Sequence, residues 1–165
     1  MIIICLKINN DMNEVKFKYQ KQIDELLALG CQLPELIAPN NLRACRFAFS
    51  GEGHVNHVPQ YMSNPKRMLQ DMGKGKANMS LLALSCFTTV EKAETFYANL
   101  RKAFKNVQHS IGDSLSEGCL RDEDGRMTNA ATNGHFDFYE YETCDLNKTF
   151  QITQNLMEEK EDAKN

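Results

Sequence analysis

The clearest pattern of apolar and polar positions lies between residues 81 and 104. An apolar run over 81–86 has the length and composition of a buried strand. It leads into a helical repeat over 89–104, where Thr88 and Glu91 have the spacing of a capping box. We therefore predict a strand that runs directly into an amphipathic helix. The side chains expected in the core are those of the apolar stripe: Val90, Ala93, Phe96, Tyr97 and Leu100.

The rest of the chain shows both the repeat typical of helices and the alternation typical of strands. A helical repeat over 12–29 ends at Gly30, and a shorter helix is predicted from Pro65 to Met72. Residues 2–8 are apolar and β-branched, which indicates a short strand or an N-terminal flap. Further strands are predicted at 42–49, 114–120, 135–142 and 149–153. In the first of these, one alternating set is expected to point inward: Arg43, Cys45, Phe47 and Phe49.

Strands outnumber helices and do not alternate with them regularly, which favours the α+β class. We predict a single domain over residues 1–155, with a small, mainly antiparallel sheet covered by the amphipathic helices at 12–29 and 89–104. A chain of 165 residues can bury a core of useful size without disulfides or metal. Residues 156–165 are rich in charge and poor in apolar side chains, so we expect a disordered tail.

Composition narrows the classes of function. A formal net charge of −3 argues against a protein that is basic overall, and the only locally basic region is Lys66–Lys76. We expect the charged side chains of that region to be exposed to solvent, and we expect no nucleic-acid partner. No apolar run is long enough to span a membrane, and the first residues lack the features of a signal peptide. None of the six cysteines forms a CxxC pair, so we expect a cytoplasmic protein with reduced thiols.

The predicted strand at 135–142 carries the main candidate site. Its period of two places His135, Asp137, Tyr139 and Tyr141 on one face. Tyrosine and histidine combine an apolar body with a polar tip, a combination typical of binding surfaces. We expect this face and the loop at 50–62 to form a groove or an interface. The sequence thus favours a partner- or ligand-binding module, with an unknown ligand and no indicated cofactor.

A first alternative is a metal-dependent enzyme. The spacing of His135 and Asp137 resembles the start of the facial triad of non-haem iron oxygenases. That resemblance implies a second histidine, which His54, His57 or His109 would have to supply from upstream. The simpler interpretation is an aromatic-rich strand with a polar outer face, and we assign no metal site.

A second alternative is a transferase that acts on a nucleotide cofactor. Arg46 lies in an early strand, Ser85 ends a middle strand, and Glu140 and Glu142 lie in a late strand. This order loosely resembles the Arg–Ser–Glu order of ADP-ribosyltransferases. The simpler interpretation is a surface arginine, a strand-end hydroxyl and solvated glutamates. The metal and transferase hypotheses use opposite faces of the strand at 135–142, so a structure can separate them.

Overall fold

A computed structural model describes residues 15–158. The predictions for residues 2–8 and for the last part of the tail lie outside this range, as do residues 12–14 of the helix predicted at 12–29. The prediction is wrong for residues 15–19, which are not helical, and Phe17 forms an isolated bridge with Tyr141 there. The strands are β1 (Leu42–Ala48), β2 (Leu84–Phe87), β3 (Ser114–Leu120), β4 (Gly125–Met127), β5 (His135–Glu140) and β6 (Gln151–Asn155). The helices are α1 (Gln20–Ala28), α2 (Gln60–Ser63), α3 (Pro65–Gly73), α4 (Val90–Ala103), α5 (Val107–Ser110) and α6 (Leu146–Thr149).

The six strands form one antiparallel sheet in the order β4-β5-β2-β1-β3-β6. The predicted α+β class with an antiparallel sheet is confirmed. Strand β2 is shorter than predicted, because Met79–Leu82 forms a 3-10 turn whose start is capped by the side chain of Asn78. Strand β5 ends early, and Tyr141 forms an isolated bridge with Phe17 instead. The elements that the sequence did not predict are all four residues or shorter: α2, α5, α6 and β4.

Helix α4 confirms the predicted position but not the predicted cap. The side chain of Thr89, rather than that of Thr88, accepts a hydrogen bond from the backbone N–H of Lys92 at 3.2 Å. Ala93 and Tyr97 are buried as expected. The other members of the stripe are half-buried, so the helix packs on the sheet less deeply than predicted: Val90, Phe96 and Leu100.

Other parts of the chain pack on both faces of the sheet. The prediction that only one set of β1 side chains points into a core is therefore wrong. Ala44 and Ala48 point to one face and Cys45 to the other, and all three are buried. The face that carries Ala44 is named the closed face here. The segment 144–150 packs across it, and its core consists of Ala44, Leu84, Cys86, Leu120, Met127, Phe136, Phe138, Cys144, Leu146 and Phe150.

The opposite face is named the helical face, because helices cover it in two separate places. At one end α4 packs on Cys45, Phe87 and Leu115. At the other end Tyr139 and Ala83 join the apolar side chains of α1, α2 and α3. The stretch of sheet between these two coverings contains the exposed Ser85.

The described cysteines and helices bear on the predicted cellular environment. The five cysteines within the described residues are free thiols, as predicted: Cys31, Cys45, Cys86, Cys119 and Cys144. Within residues 15–158, none of the helices has both the length and the apolar character needed to cross a membrane.

Candidate functional site

Three polar side chains lie together in the stretch of the helical face that the helices leave open. Ser85 on β2 is paired with Asp137 on β5, and Phe87 is paired with His135 in the same ladder. Because side chains alternate along a strand, Ser85, His135 and Asp137 point to the same side of the sheet. These three residues are named the Ser85 cluster. Ser85 is exposed, while 32% of the His135 side chain and 20% of the Asp137 side chain are exposed.

Ser85 and His135 share a hydrogen bond. The Oγ atom of Ser85 lies 2.7 Å from Nε2 of His135. Oδ1 of Asp137 lies 3.9 Å from the same nitrogen, which is too far for a hydrogen bond but close enough for an ion pair when the ring is protonated. The hydroxyl and the imidazole therefore form a direct pair, with the carboxylate beside them.

The backbone and a neighbouring ring hold this geometry. The backbone N–H of Asp137 donates to Oγ1 of Thr128 at 3.0 Å, and that of His135 donates to Oδ1 of Asn133 at 3.1 Å. The His135 ring packs edge-on against Phe87, with centroids 5.5 Å apart. The cluster thus lies on a rigid part of the sheet, and only its outer side faces solvent.

Asp137 is the acidic member of the cluster. Burial raises the pKa of its carboxyl group, and the nearby His135 partly opposes that rise. Among residues 15–158, no lysine or arginine forms an ion pair with Asp137. The carboxylate is therefore partly removed from water without a permanent positive charge to compensate it.

Tyr139 does not belong to the exposed face on which the sequence placed it. Only 1% of this residue is exposed, because it packs among the side chains of α1, α2 and α3. Burial, followed by the charge of Asp137, raises the pKa of its hydroxyl. Within the described part of the chain, that hydroxyl has no hydrogen-bond partner. Tyr139 is a core residue, and a partner cannot contact it without displacing helices.

Tyr141 and Glu142 line a separate groove with a volume of about 780 Å³. The Arg126 guanidinium lies over the Tyr141 ring, 5.2 Å from its centroid, and Phe17 packs against the same ring at 5.4 Å. The remaining wall is formed mostly by polar and charged side chains: Lys16, Asp122, Glu123 and Thr143, with the apolar Val15. The predicted face of four residues is thus divided among the Ser85 cluster, the core and this groove.

Arg46 lies on the closed face, opposite to the Ser85 hydroxyl. Its Nε donates to the backbone carbonyl of Ser85 at 3.3 Å, and its Nη1 lies 2.8 Å from Nδ1 of His57. A guanidinium can only donate, so Nδ1 of His57 must be the acceptor and the imidazole is neutral. Burial, and then the charge of Arg46, lower the pKa of His57 to about 4.

Glu140 is the second carboxylate of β5 and also points to the closed face. Only 4% of the residue is exposed. Its Oε2 is paired with the ammonium group of Lys18, which also donates to the backbone carbonyl of Cys144. Burial raises the pKa of Glu140, and Lys18, followed by Arg46, opposes that rise. Glu140 is thus a structural carboxylate with a lysine partner.

This placement separates the residues of the transferase hypothesis. Arg46 and Glu140 are on the closed face, the Ser85 hydroxyl is on the helical face, and Glu142 is in the groove. The arrangement of Arg46 with Ser85 and either glutamate therefore gives no common site.

The histidines of the metal hypothesis are also apart. His57 contacts Arg46 on the closed face, and His54 stacks on Phe49 with centroids 4.9 Å apart. Within residues 15–158, no group of three or more His, Cys, Asp or Glu side chains could hold a metal ion. His135 and Asp137 thus lack a third protein ligand among these residues.

Sequence reasoning missed the contact between Ser85 and His135. It placed the two residues in different hypotheses, because they are far apart in the chain and no short motif joins them. The pairing of β2 with β5 brings them together. Lys18 was also missed as the partner of Glu140, since a lysine in a predicted amphipathic helix looks like part of a solvated face.

Comparisons with known proteins leave the site to be judged on its geometry. A scan against protein-family models finds no match to this sequence. Searches of curated proteins and of solved structures likewise find no significant similarity.

Proposed function

We propose that this protein is a binding module whose Ser85 cluster recognises a basic side chain, arginine above all, on a protein partner. The observation that carries the proposal is the half-buried carboxylate of Asp137, which no lysine or arginine of the described residues compensates. A cation placed beside Asp137 would favour the ionised form that burial disfavours.

The other two side chains fit the same ligand. A guanidinium has five N–H donors and no acceptor. Asp137 offers carboxylate oxygens, and the Ser85 oxygen, held in place by its hydrogen bond with His135, offers a further acceptor position within the same cluster. A lysine ammonium would also be attracted, but it lacks the planar set of donors that can reach several acceptors together.

A partner protein fits this site better than a free amine does. Ser85 is exposed on an open stretch of sheet, so a small ligand would keep most of its contact with water. An arginine within a larger interface is shielded by its own neighbours, which strengthens its interaction with the carboxylate. The helices that pack on either side of the cluster, α4 at one end and the α1–α3 group at the other, provide a surface for those neighbours.

The test is a titration of isotope-labelled protein with two short peptides, followed by NMR. One peptide contains arginine, and the other contains citrulline, which has nearly the same shape without the charge. We expect the arginine peptide to shift the backbone amide signals of Ser85, His135 and Asp137, and the citrulline peptide to bind at least about tenfold more weakly.

The matched variants are Asp137→Asn and Glu35→Gln. Glu35 is exposed and belongs to neither the cluster nor the groove. Asp137→Asn should remove the preference for arginine over citrulline, while Glu35→Gln should leave it unchanged. Equal binding of the two peptides by the wild-type protein, or an equal loss in both variants, would overturn the proposal.

A further inference from the structure

We propose that Ser85 is a nucleophile activated by His135, and that the Ser85 cluster accepts the acyl group of esters that carry a cationic group. The inference rests on the proposed function, because it assigns the cation to Asp137. It adds a covalent step to a site that otherwise only binds.

The first support is the distance between nucleophile and base. A serine hydroxyl is a weak nucleophile until a neighbouring base takes its proton, and the base must lie within hydrogen-bond reach. Oγ of Ser85 and Nε2 of His135 are 2.7 Å apart, which fulfils that condition without any movement. Ser85 is also exposed, so an acyl carbon can approach its oxygen from solvent.

The second support is the position of Asp137, which differs from the usual serine–histidine–aspartate arrangement. There the carboxylate accepts a hydrogen bond from Nδ1 and fixes the tautomer of the ring. Here Oδ1 lies 3.9 Å from Nε2, the nitrogen that would receive the proton. The charge of Asp137 would thus stabilise the imidazolium as it forms and attract a cationic group of the substrate. It would not orient the ring, which Phe87 contacts instead.

The proposed acyl transfer has two stages, acylation of Ser85 and hydrolysis of the acylated serine. Oγ of Ser85 attacks the ester carbonyl carbon and forms a new C–O bond, while its proton passes to Nε2 of His135. The bond from that carbon to the leaving oxygen then breaks, and the departing alcohol takes the proton from the imidazolium. Water then attacks the acyl carbon while His135 accepts a proton from it, the bond from that carbon to Oγ breaks, and the imidazolium gives its proton back to Oγ, which restores Ser85 and releases the carboxylic acid.

The experiment uses p-nitrophenyl guanidinobenzoate, a cationic ester, and p-nitrophenyl benzoate, its neutral counterpart. We expect the full chain to release about one equivalent of p-nitrophenol rapidly from the cationic ester. Mass spectrometry should then locate the acyl group on Ser85. Ser85→Ala should abolish the burst, and Ser110→Ala should leave it intact, since Ser110 is an exposed serine that follows a histidine but bonds to a backbone carbonyl.

A second pair of variants separates the base from the cation site. His135→Gln keeps a polar side chain but cannot serve as a base, and it should slow acylation by about 100-fold. Asp137→Asn should reduce the preference for the cationic ester over the neutral one. Acylation of the wild-type protein at another residue, no acylation at all, or an unchanged rate in His135→Gln would overturn the inference. If the arginine peptide still binds through Asp137 in that case, the proposed binding function stands and the nucleophile alone is rejected.

Discussion

Asp137 and Glu140 are two carboxylates of one strand, and burial raises the pKa of both. Glu140 points to the closed face, where Lys18 forms an ion pair with it and Arg46 adds positive charge nearby. Asp137 points to the helical face, where the imidazole of His135 is the basic group paired with it among residues 15–158. The comparison shows that a raised pKa does not by itself mark a functional site. What distinguishes Asp137 is a carboxyl group next to solvent that has no lysine or arginine partner among the described residues.

The largest expected effect on stability comes from breaking the ion pair between Lys18 and Glu140 on the closed face. Lys18→Met should leave Glu140 buried without its partner and lower the free energy of unfolding by about 3–5 kcal/mol, the usual cost of breaking a buried ion pair. Chemical denaturation at neutral pH measures this. Lys21→Met, at an exposed position of α1, is the control and should change little. In a Glu140→Gln background the Lys18 substitution should lose most of its effect. An equal cost in both backgrounds would show that Lys18 acts through its packing.

The second prediction concerns the loss of stability at acidic pH that His57 on the closed face should cause. The pKa of His57 is about 4 in the folded protein, below the 6.5 of a free histidine. As the pH falls, His57 therefore binds a proton in the unfolded chain at a higher pH than it does in the folded protein. Stability should be full above about pH 6.5 and should decline toward pH 4, by about 2–3 kcal/mol for this group after allowance for its partial exposure.

The variant His57→Asn tests that assignment, since asparagine tolerates the positive φ of 62° at this position. Denaturation curves at several pH values should show less decline for the variant than for the wild-type protein between pH 6.5 and 4. Equal declines would mean that other groups cause the acid sensitivity. Asp137 and Glu140 cannot mimic the effect, because a raised carboxyl pKa favours the folded state as the pH falls.

The smallest effect is expected for Asp137. Replacement by asparagine removes a charge that has no lysine or arginine partner among the described residues, so the free energy of unfolding should stay within about 0.5 kcal/mol or rise slightly. The same denaturation assay checks it. A loss of about 2 kcal/mol or more would place Asp137 with Glu140 as a structural carboxylate and would weaken the functional assignment of the Ser85 cluster.

Much of the fold could be predicted from local pattern. Strands β1 and β3 and helix α4 were located to within one or two residues, because each is long enough to show its own period. The short elements and the 3-10 turn were not, since four residues carry less than two helical turns of pattern. The N-cap residue is Thr89 and not the predicted Thr88. The two adjacent threonines have the same kind of side-chain oxygen, so the sequence does not distinguish them as caps.

The site was harder to predict, because it depends on which strands pair. The period of two correctly placed His135 and Asp137 on one face, but it could not reveal that Ser85 faces them across the ladder. It also could not reveal that helices cover the same face at Tyr139 and leave it open at Asp137. Segments far away in the sequence decide which part of the face the helices cover, and the sequence of the strand itself carries no information about this.

The order of the strands has a consequence for how quickly the chain can fold. The longest ladder joins β1 to β3, with Leu42 beside Leu120, so the centre of the sheet forms only after a large loop closes. Strand β2 must likewise find β5 before Ser85 meets His135. Proteins dominated by such non-local pairs fold in milliseconds to seconds rather than microseconds. The Ser85 cluster should therefore assemble late, in the same cooperative step that completes the sheet, and no isolated fragment of the chain should carry it.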